Sequence, residues 1–224
     1  MPIRTTVLNS KLQDFVSASA NSKTELLPYC YYSIVDVDGD AGGAMNVPSE
    51  ITFFQQQKGA AGVTTEYTNM PAPGKIGVPY RFLAQYIAFE VMPSLTENKA
   101  ALAIDIVANP EKSLVNDMVK MLNRGYVSFT LLDKDYLQIS PLSALPSGAG
   151  ARVSGGVATT ASEINLMSVN NGVNALSNMF AVEIPLAGEN VFSVKIAYSS
   201  GVFALYNDLR IKCALHGILQ RPEM

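Results

Sequence analysis

The chain has 224 residues, of which 48% are apolar and only 16% are charged, and its formal net charge is −3. An average soluble domain has about 25% charged residues, so this chain has little charge to place on its surface. Its basic side chains are dispersed, which argues against a sequence-specific nucleic-acid partner, because nucleic-acid-binding faces cluster Lys and Arg over the phosphates. The residues after Met1 do not have the apolar core of a signal peptide, and no run of apolar residues is long enough for a membrane-spanning helix. The sequence therefore predicts synthesis in a cytoplasm.

Short runs of alternating apolar and polar residues, separated by Gly, Pro, Asn and Asp, predict a mostly β chain. In chain order, strands are predicted at residues 29–37, 51–57, 82–92, 101–107, 126–132, 136–140, 179–184, 192–198 and 209–219. The run at 82–92 is almost wholly apolar and predicts a strand that is buried on both faces. The segment Asp133-Lys134-Asp135 predicts a tight hairpin loop.

One amphipathic helix is predicted over about residues 109–124, because Asn109 suits the N-cap, Pro110 suits the first turn and Gly125 suits the stop. A second, weaker helix is predicted at 10–19. The connection at 59–79 is too long for a simple hairpin and favours strands that cross between two sheets. The predicted fold is all-β, a jelly-roll β-sandwich or barrel, with a single barrel favoured over a compact double jelly roll.

Side chains that could perform chemistry are few. The sequence holds one histidine, His216, whereas metal-dependent β-barrel enzymes need several histidines or a facial triad. On a strand, Cys213 and His216 are three residues apart and point to opposite faces, so they do not form a catalytic pair. Cys30 and Cys213 are predicted to be free thiols rather than a disulfide. We therefore predict no catalytic residues and no cofactor, and the chain is not expected to be an enzyme.

The acidic run from Asp36 to Asp40 resembles the start of a calcium-binding loop. The match fails at the sixth position, where Ala41 replaces the required Gly, and at the twelfth, where Val47 replaces Glu. An acidic turn leaving a strand is the favoured interpretation. No metal site is predicted, although calcium binding by these aspartates stays open.

An ordered set of short segments resembles jelly-roll capsid proteins of tailless, icosahedral bacterial viruses. The segments are TNMPAP (68–73), DYL (135–137), PL (141–142), LPSGAG (145–150), GENVF (188–192) and LHGILQRP (215–222). The resemblance covers about the last two thirds of the chain. It lies in the order and style of the segments and not in a diagnostic motif.

This resemblance implies a structural virion protein, a capsid subunit that self-assembles into an icosahedral shell. Such proteins lack catalytic residues and form homotrimers or homopentamers that contact other capsid proteins. Residues 1–23 would be an N-terminal arm, which faces the lipid in membrane-containing relatives, and residues 24–224 the β domain. Deleting residues 1–23 is expected to leave the fold intact and to weaken higher assembly.

Contacts between subunits are predicted at a small set of side chains and loop positions. Adjacent aromatic residues on a strand point to opposite faces, so one member of each pair should face outward. Outward aromatics are common in protein interfaces. The predicted interface residues are Arg4 and Lys11 in the arm, Tyr31 and Phe54 on strands, and Gly148, Gly150 and Gly155 in the loop at 141–160.

Three other functions fit parts of the sequence. A phage tail or baseplate β protein has a similar composition, although the repeats of fibrous tail proteins are missing here. A carbohydrate-binding β-sandwich would use exposed tyrosines, although such modules usually contain Trp and this chain has none. A β-barrel enzyme with paired carboxylates would use Glu50, Glu66 or Glu90, although their spacing gives no support for a pair.

Overall fold

The computed structural model is mostly β. It describes residues 15, 24–39, 47–60, 62–94, 114–139, 152–154, 168–170, 179–198 and 205–223. The strands are β1 (Thr24–Val37), β2 (Glu50–Phe53), β3 (Arg81–Pro93), β4 (Tyr126–Leu131), β5 (Lys134–Ile139), β6 (Arg152–Ser154), β7 (Ser168–Asn170), β8 (Met179–Ala187), β9 (Phe192–Ala197) and β10 (Leu209–Pro222). Helix α1 spans Leu114–Asn123 between β3 and β4. The predicted all-β class with a helix at this place is confirmed.

Two antiparallel four-stranded sheets form the body of the fold. Sheet A has the order β1-β10-β3-β8, sheet B has the order β2-β9-β4-β5, and β6 pairs separately with β7. Among the eight strands of the two large sheets, the first pairs with the last, the second with the seventh, the third with the sixth and the fourth with the fifth. The chain is therefore paired like one long hairpin that has been folded over on itself.

The inner faces of the two sheets form one aromatic-rich core. Phe53 of sheet B meets Phe89 of sheet A edge to face, with ring centroids 5.7 Å apart. Within sheet B, Phe129 and Phe192 stack at 6.1 Å. All four rings are fully buried, and each removes a large apolar area from water.

In strand β3 the residues that point into the core are even-numbered in the first part and odd-numbered in the second. Phe82 and Ala84 belong to the core, and after an irregularity at Gln85 the core residues are Ile87, Phe89 and Val91. A β-bulge of this kind places one extra residue in the strand and shifts the alternation by one. The predicted strand at 82–92 is confirmed, and its largely apolar sequence follows from this shift together with burial of Leu83 and Ala88 outside the main core cluster.

Other predicted elements are confirmed with changed limits. The hairpin of β4 and β5 turns at Leu132-Asp133, and Leu132 has a positive φ of 54°. Strand β2 ends at Phe53 and not at residue 57, because Phe54 leaves the strand with φ of 64°. The connection at 59–79 links sheet B to sheet A, as expected for strands that cross between sheets.

Some predictions fall outside the described residues. These are the strand at 101–107, the first turn of the helix at 109–113, the helix at 10–19 apart from Phe15, and the loop at 141–160 apart from residues 152–154, which form strand β6 and not loop. Phe15 itself is buried, with the Arg81 guanidinium 5.3 Å from its ring centroid. This one residue of the predicted arm therefore packs against the β domain, which begins with β1 at Thr24.

Candidate functional site

One end of the sandwich is built from turns that are bonded to one another, and we call it the loop end. The backbone N–H of Phe192 donates to Gly74 at 2.9 Å, and the N–H of Gly77 donates to Gly188 at 3.1 Å. Gly74 has φ of 62°, and a Cβ there would lie 2.9 Å from the carbonyl oxygen of Phe192. The close approach of these two turns therefore depends on glycine.

A cleft of about 220 Å³ opens at the loop end, where β1 and β3 begin and β10 ends. We call it the tyrosine cleft. It is lined by Tyr29, Tyr31, Asn69, Pro71, Ile76, Tyr80, Leu219 and Arg221. The register of sheet A places three of the contributing strand ends together, because Thr24 pairs with Pro222 and Arg81 pairs with Gln220.

The cleft has an apolar floor and aromatic walls. Tyr31, Ile76 and Leu219 are buried, whereas Tyr29 and Tyr80 are each 37% exposed. The Tyr29 and Tyr31 rings meet edge to face with centroids 4.9 Å apart, and Tyr31 in turn packs edge to face on Phe82 at 5.1 Å. The aromatic walls are therefore fixed to the core by successive ring contacts.

Asn69 reaches the cleft because its segment covers the free edge of β1. Its side-chain oxygen accepts a hydrogen bond from the Tyr32 backbone N–H at 2.9 Å, and its amide nitrogen donates to the Cys30 carbonyl at 2.7 Å. The Thr68 hydroxyl donates to the Tyr32 carbonyl at 2.9 Å. These bonds satisfy edge groups that an open strand would leave unpaired, and they fix the orientation of the Asn69 amide.

Charge in the cleft is balanced. The Arg221 guanidinium donates to the Glu25 carboxylate across the β1–β10 pair. Burial raises the pKa of the Tyr31 phenol above its usual value, and the neighbouring Tyr29 and Tyr80 phenols raise this pKa further. The phenol of Tyr31 is therefore a neutral hydrogen-bonding group at physiological pH.

Most exposed large apolar side chains also gather at the loop end. Seven such side chains are found in the described residues, and five of them are here: Tyr29, Val78, Tyr80, Leu132 and Val191. Leu132 and Val191 are neighbours, because the Leu132 N–H donates to the Val191 carbonyl at 2.8 Å. Leu132 and Val191 therefore expose apolar area side by side at the loop end.

The structure corrects the expectation that Tyr31 and Phe54 face outward at an interface. Tyr31 is 4% exposed and Phe54 is 0% exposed, so neither side chain offers surface to a neighbour. Strand alternation gives Tyr31 an inward direction, and the positive φ of Phe54 turns its ring back onto Phe192. The other predicted interface residues, Arg4, Lys11, Gly148, Gly150 and Gly155, lie outside the described residues.

The three candidate carboxylates are not brought together as a pair. Glu50 forms an ion pair with Lys195 at 2.9 Å, Glu66 with Arg210 at 3.0 Å, and Glu90 with Lys212 at 3.6 Å. Each carboxylate is thus held by a different cation. This arrangement lends no support to a paired-carboxylate enzyme.

Cys30 and His216 are cross-strand neighbours, a pairing that the sequence did not reveal. Their Sγ and Nε2 atoms are 3.7 Å apart, and the His216 ring stacks on Tyr86 with centroids 4.6 Å apart. Burial raises the pKa of the Cys30 thiol, and burial followed by Lys212 lowers the pKa of His216. Both groups are neutral near pH 7, whereas a cysteine nucleophile requires a thiolate. As expected, Cys213 lies in the core and both cysteines are free.

Asp36 is engaged by protein groups. Its carboxylate accepts from Arg210 Nε at 3.1 Å and from the Tyr67 hydroxyl at 3.0 Å, while Asp40 lies outside the described residues. Within the part of the chain that the structure describes, no three His, Cys, Asp or Glu side chains are grouped to hold a metal ion. No described helix has the length and apolarity needed to cross a membrane.

No family model, curated protein or solved structure matches this chain. The family suggested by the sequence therefore remains a prediction. Of the cleft residues, the sequence singled out Tyr31, the segment at 68–73 that contains Asn69 and Pro71, and the segment at 215–222 that contains Leu219 and Arg221. It gave no reason to join these residues to one another or to Tyr80 and Ile76, which the strand pairing of sheet A and the connection at 59–79 bring together.

Proposed function

We propose that this chain is a capsid subunit that folds as a single jelly roll and self-assembles into an icosahedral shell. The order of the eight strands carries the proposal. Numbered along the chain, they give sheets 1-8-3-6 and 2-7-4-5, and successive strands alternate between the two sheets except for the fourth and fifth, which form a hairpin in one sheet. A folded-over hairpin of eight antiparallel strands in two sheets is the arrangement expected of a jelly roll built from two Greek keys.

The jelly roll alone does not decide the function, since capsid proteins, lectins and cupins share it. The low charge of the chain supports a role in assembly, because charged residues are depleted at the centres of protein interfaces. The resemblance of the short segments to capsid proteins of tailless bacterial viruses points the same way. The expected location is the virion, after synthesis in the host cytoplasm.

Contacts between subunits are assigned in this proposal to the exposed pair of Leu132 and Val191. Their side chains are 60% and 49% exposed, and both lie in turns and not in the core. Burying them against another subunit would remove apolar area from water at no cost to the fold of the monomer. The partners are further copies of this chain in trimers or pentamers, together with other capsid proteins.

The first experiment measures the mass of the purified chain by light scattering and images the same sample by negative-stain electron microscopy. Trimers, pentamers or shell-like particles are the expected result. A monomer at every concentration would contradict the proposal, because a shell subunit must make repeated contacts with its own copies.

A double variant, Leu132→Asp with Val191→Asp, locates the contact. It should keep the parent circular dichroism spectrum and lose the higher assemblies, since two carboxylates at an interface must be desolvated. The control is Tyr126→Asp, which adds a charge at the opposite end of β4 from Leu132. Equal loss of assembly in both variants would argue against a contact at this pair.

The arm is tested by deleting residues 1–14, which keeps the buried Phe15 in place. This choice improves on removal of all 23 residues, because Phe15 packs beneath Arg81 and its loss would also weaken the domain. We expect an intact fold with weaker higher assembly. Particles that form as readily as those of the full chain would remove the arm from the assembly mechanism.

A further inference from the structure

We propose that the tyrosine cleft is a binding site for a neutral saccharide and that it accommodates one pyranose ring. This inference goes beyond a role in building a shell and would give the assembled particle an affinity for sugars. It rests on three observations: the size of the cleft, its pattern of apolar and polar groups, and its balanced charge.

The size and walls of the cleft suit one sugar ring. Its volume of about 220 Å³ is smaller than the roughly 300–1,000 Å³ of pockets for drug-sized ligands, so a single ring of an oligosaccharide is the natural occupant. The exposed rings of Tyr29 and Tyr80 offer flat apolar surfaces at the opening. The C–H groups of a pyranose form flat apolar faces that pack well on such rings.

The polar groups of the cleft require a ligand that can also form hydrogen bonds. Three phenol hydroxyls, the Asn69 amide and the Arg221 guanidinium surround the apolar floor. The Asn69 amide and the Arg221 guanidinium already bond within the protein, so the cost of a purely apolar ligand falls on the phenol hydroxyls, at about 1–3 kcal/mol for each one that is buried without a partner. Sugar hydroxyls both donate and accept hydrogen bonds, and therefore match this mixture of groups.

The charge of the cleft favours a neutral ligand. Among the described residues that line the cleft, Arg221 is the only basic one, and its guanidinium already pairs with the Glu25 carboxylate. A bound anion would compete with Glu25 and would face its negative charge. An acidic sugar is therefore expected to bind no more tightly than its neutral counterpart.

The test uses saturation-transfer NMR with neutral oligosaccharides of glucose, galactose, mannose, rhamnose and N-acetylglucosamine, and with sialyllactose beside lactose for the effect of charge. Both the unassembled chain and any particles are measured. At least one neutral saccharide should bind, and Tyr80→Ala should weaken its binding at least tenfold. The control Tyr136→Ala removes an exposed tyrosine of β5 outside the cleft and should leave binding unchanged.

Tyr80→Phe separates ring packing from hydrogen bonding, because it keeps the ring and removes only the hydroxyl. We expect Tyr80→Phe to lose less saccharide affinity than Tyr80→Ala. If circular dichroism shows that Tyr80→Ala is unfolded, the affinity of Tyr80→Phe is the test of the proposal. Three outcomes would overturn the proposal: no neutral saccharide binds either form, the Tyr136 control loses as much affinity as the Tyr80 variants, or Tyr80→Phe binds as tightly as the parent while Tyr80→Ala is unfolded. Assembly is measured separately by light scattering. Saccharide binding by the unassembled chain can therefore be interpreted even if no shells form.

Discussion

Replacing Asp117 by alanine should destabilise the fold more than any other change to a single polar side chain in helix α1. Asp117 is fully buried, and its Oδ2 accepts hydrogen bonds from the Tyr206 N–H at 2.8 Å, the Asn207 N–H at 3.0 Å and the Asn207 amide at 2.8 Å. Its Oδ1 accepts from Lys120 Nζ at 3.1 Å. One carboxylate thus joins the helix to the segment that leads into β10.

The expected magnitude follows from these contacts. A hydrogen bond to a charged group contributes about 1.5–3 kcal/mol, and Asp117→Ala removes the acceptor of three N–H groups at once. Water entering the space and relaxation of the segment will recover part of this sum. We therefore expect a loss of about 3–5 kcal/mol, which is typical of truncating one partner of a buried charged network.

Urea unfolding followed by far-UV circular dichroism measures this loss. The matched control is Asp135→Ala, because the exposed Asp135 also accepts two side-chain hydrogen bonds, from Thr130 and Gln138, at 2.8 Å each. Its loss should stay below about 1 kcal/mol, since water replaces the missing acceptor. If Asp117→Ala lowers the free energy of unfolding by no more than Asp135→Ala does, burial does not make the Asp117 hydrogen bonds more stabilising than exposed ones.

Three further changes test the core, the bulge and the histidine. Phe53→Ala should lower the free energy of unfolding by about 3–5 kcal/mol in urea, because its fully buried ring would leave a cavity; a loss below about 1 kcal/mol would mean that the sheets are not packed through this ring. Gly217→Ala should cost at least about 2 kcal/mol in the same assay, since its Cβ would lie 1.9 Å from the Leu83 carbonyl oxygen; parent-like stability would contradict this close approach. Burial, with Lys212 nearby, lowers the pKa of His216, so the unfolded chain binds the proton first as pH falls below about 6.5 and the parent loses stability there. His216→Gln should lose less stability than the parent between about pH 7.5 and about pH 5, and equal losses would contradict a buried neutral imidazole.

Much of the secondary structure could be predicted because its physical causes are local. The alternation in β9 and the turn between β4 and β5 are set by neighbouring residues, and both follow the prediction closely. An error arises where a single residue breaks the alternation. Alternation along the strand predicts that Phe54 faces outward, but its positive φ returns it to the core.

The candidate site could not be predicted, because it depends on contacts between residues far apart in the chain. Tyr29, Asn69, Tyr80 and Arg221 come from four separate segments. The pairing of β1 with β10 and of β10 with β3 places the tyrosines and Arg221 together, and hydrogen bonds to the edge of β1 bring Asn69 to them. The same holds for Cys30 and His216, whose proximity is fixed by one position of the register. Composition and alternation constrain which residues face inward, but they contain no information on which strands are neighbours.

The Leu132–Val191 pair and the tyrosine cleft differ in how much of their surface is made of core residues. Because of this difference, separate variants can test the two proposed roles. Leu132 and Val191 lie in turns and are largely exposed, so changing them alters contacts outside the chain while leaving the core intact. The floor of the tyrosine cleft is made of core residues, so Tyr31 and Leu219 cannot be changed without weakening the sandwich. Its walls, Tyr29 and Tyr80, are the accessible part. Variants at the walls therefore test ligand binding, variants at the turns test assembly, and only variants at the floor would confuse either function with stability.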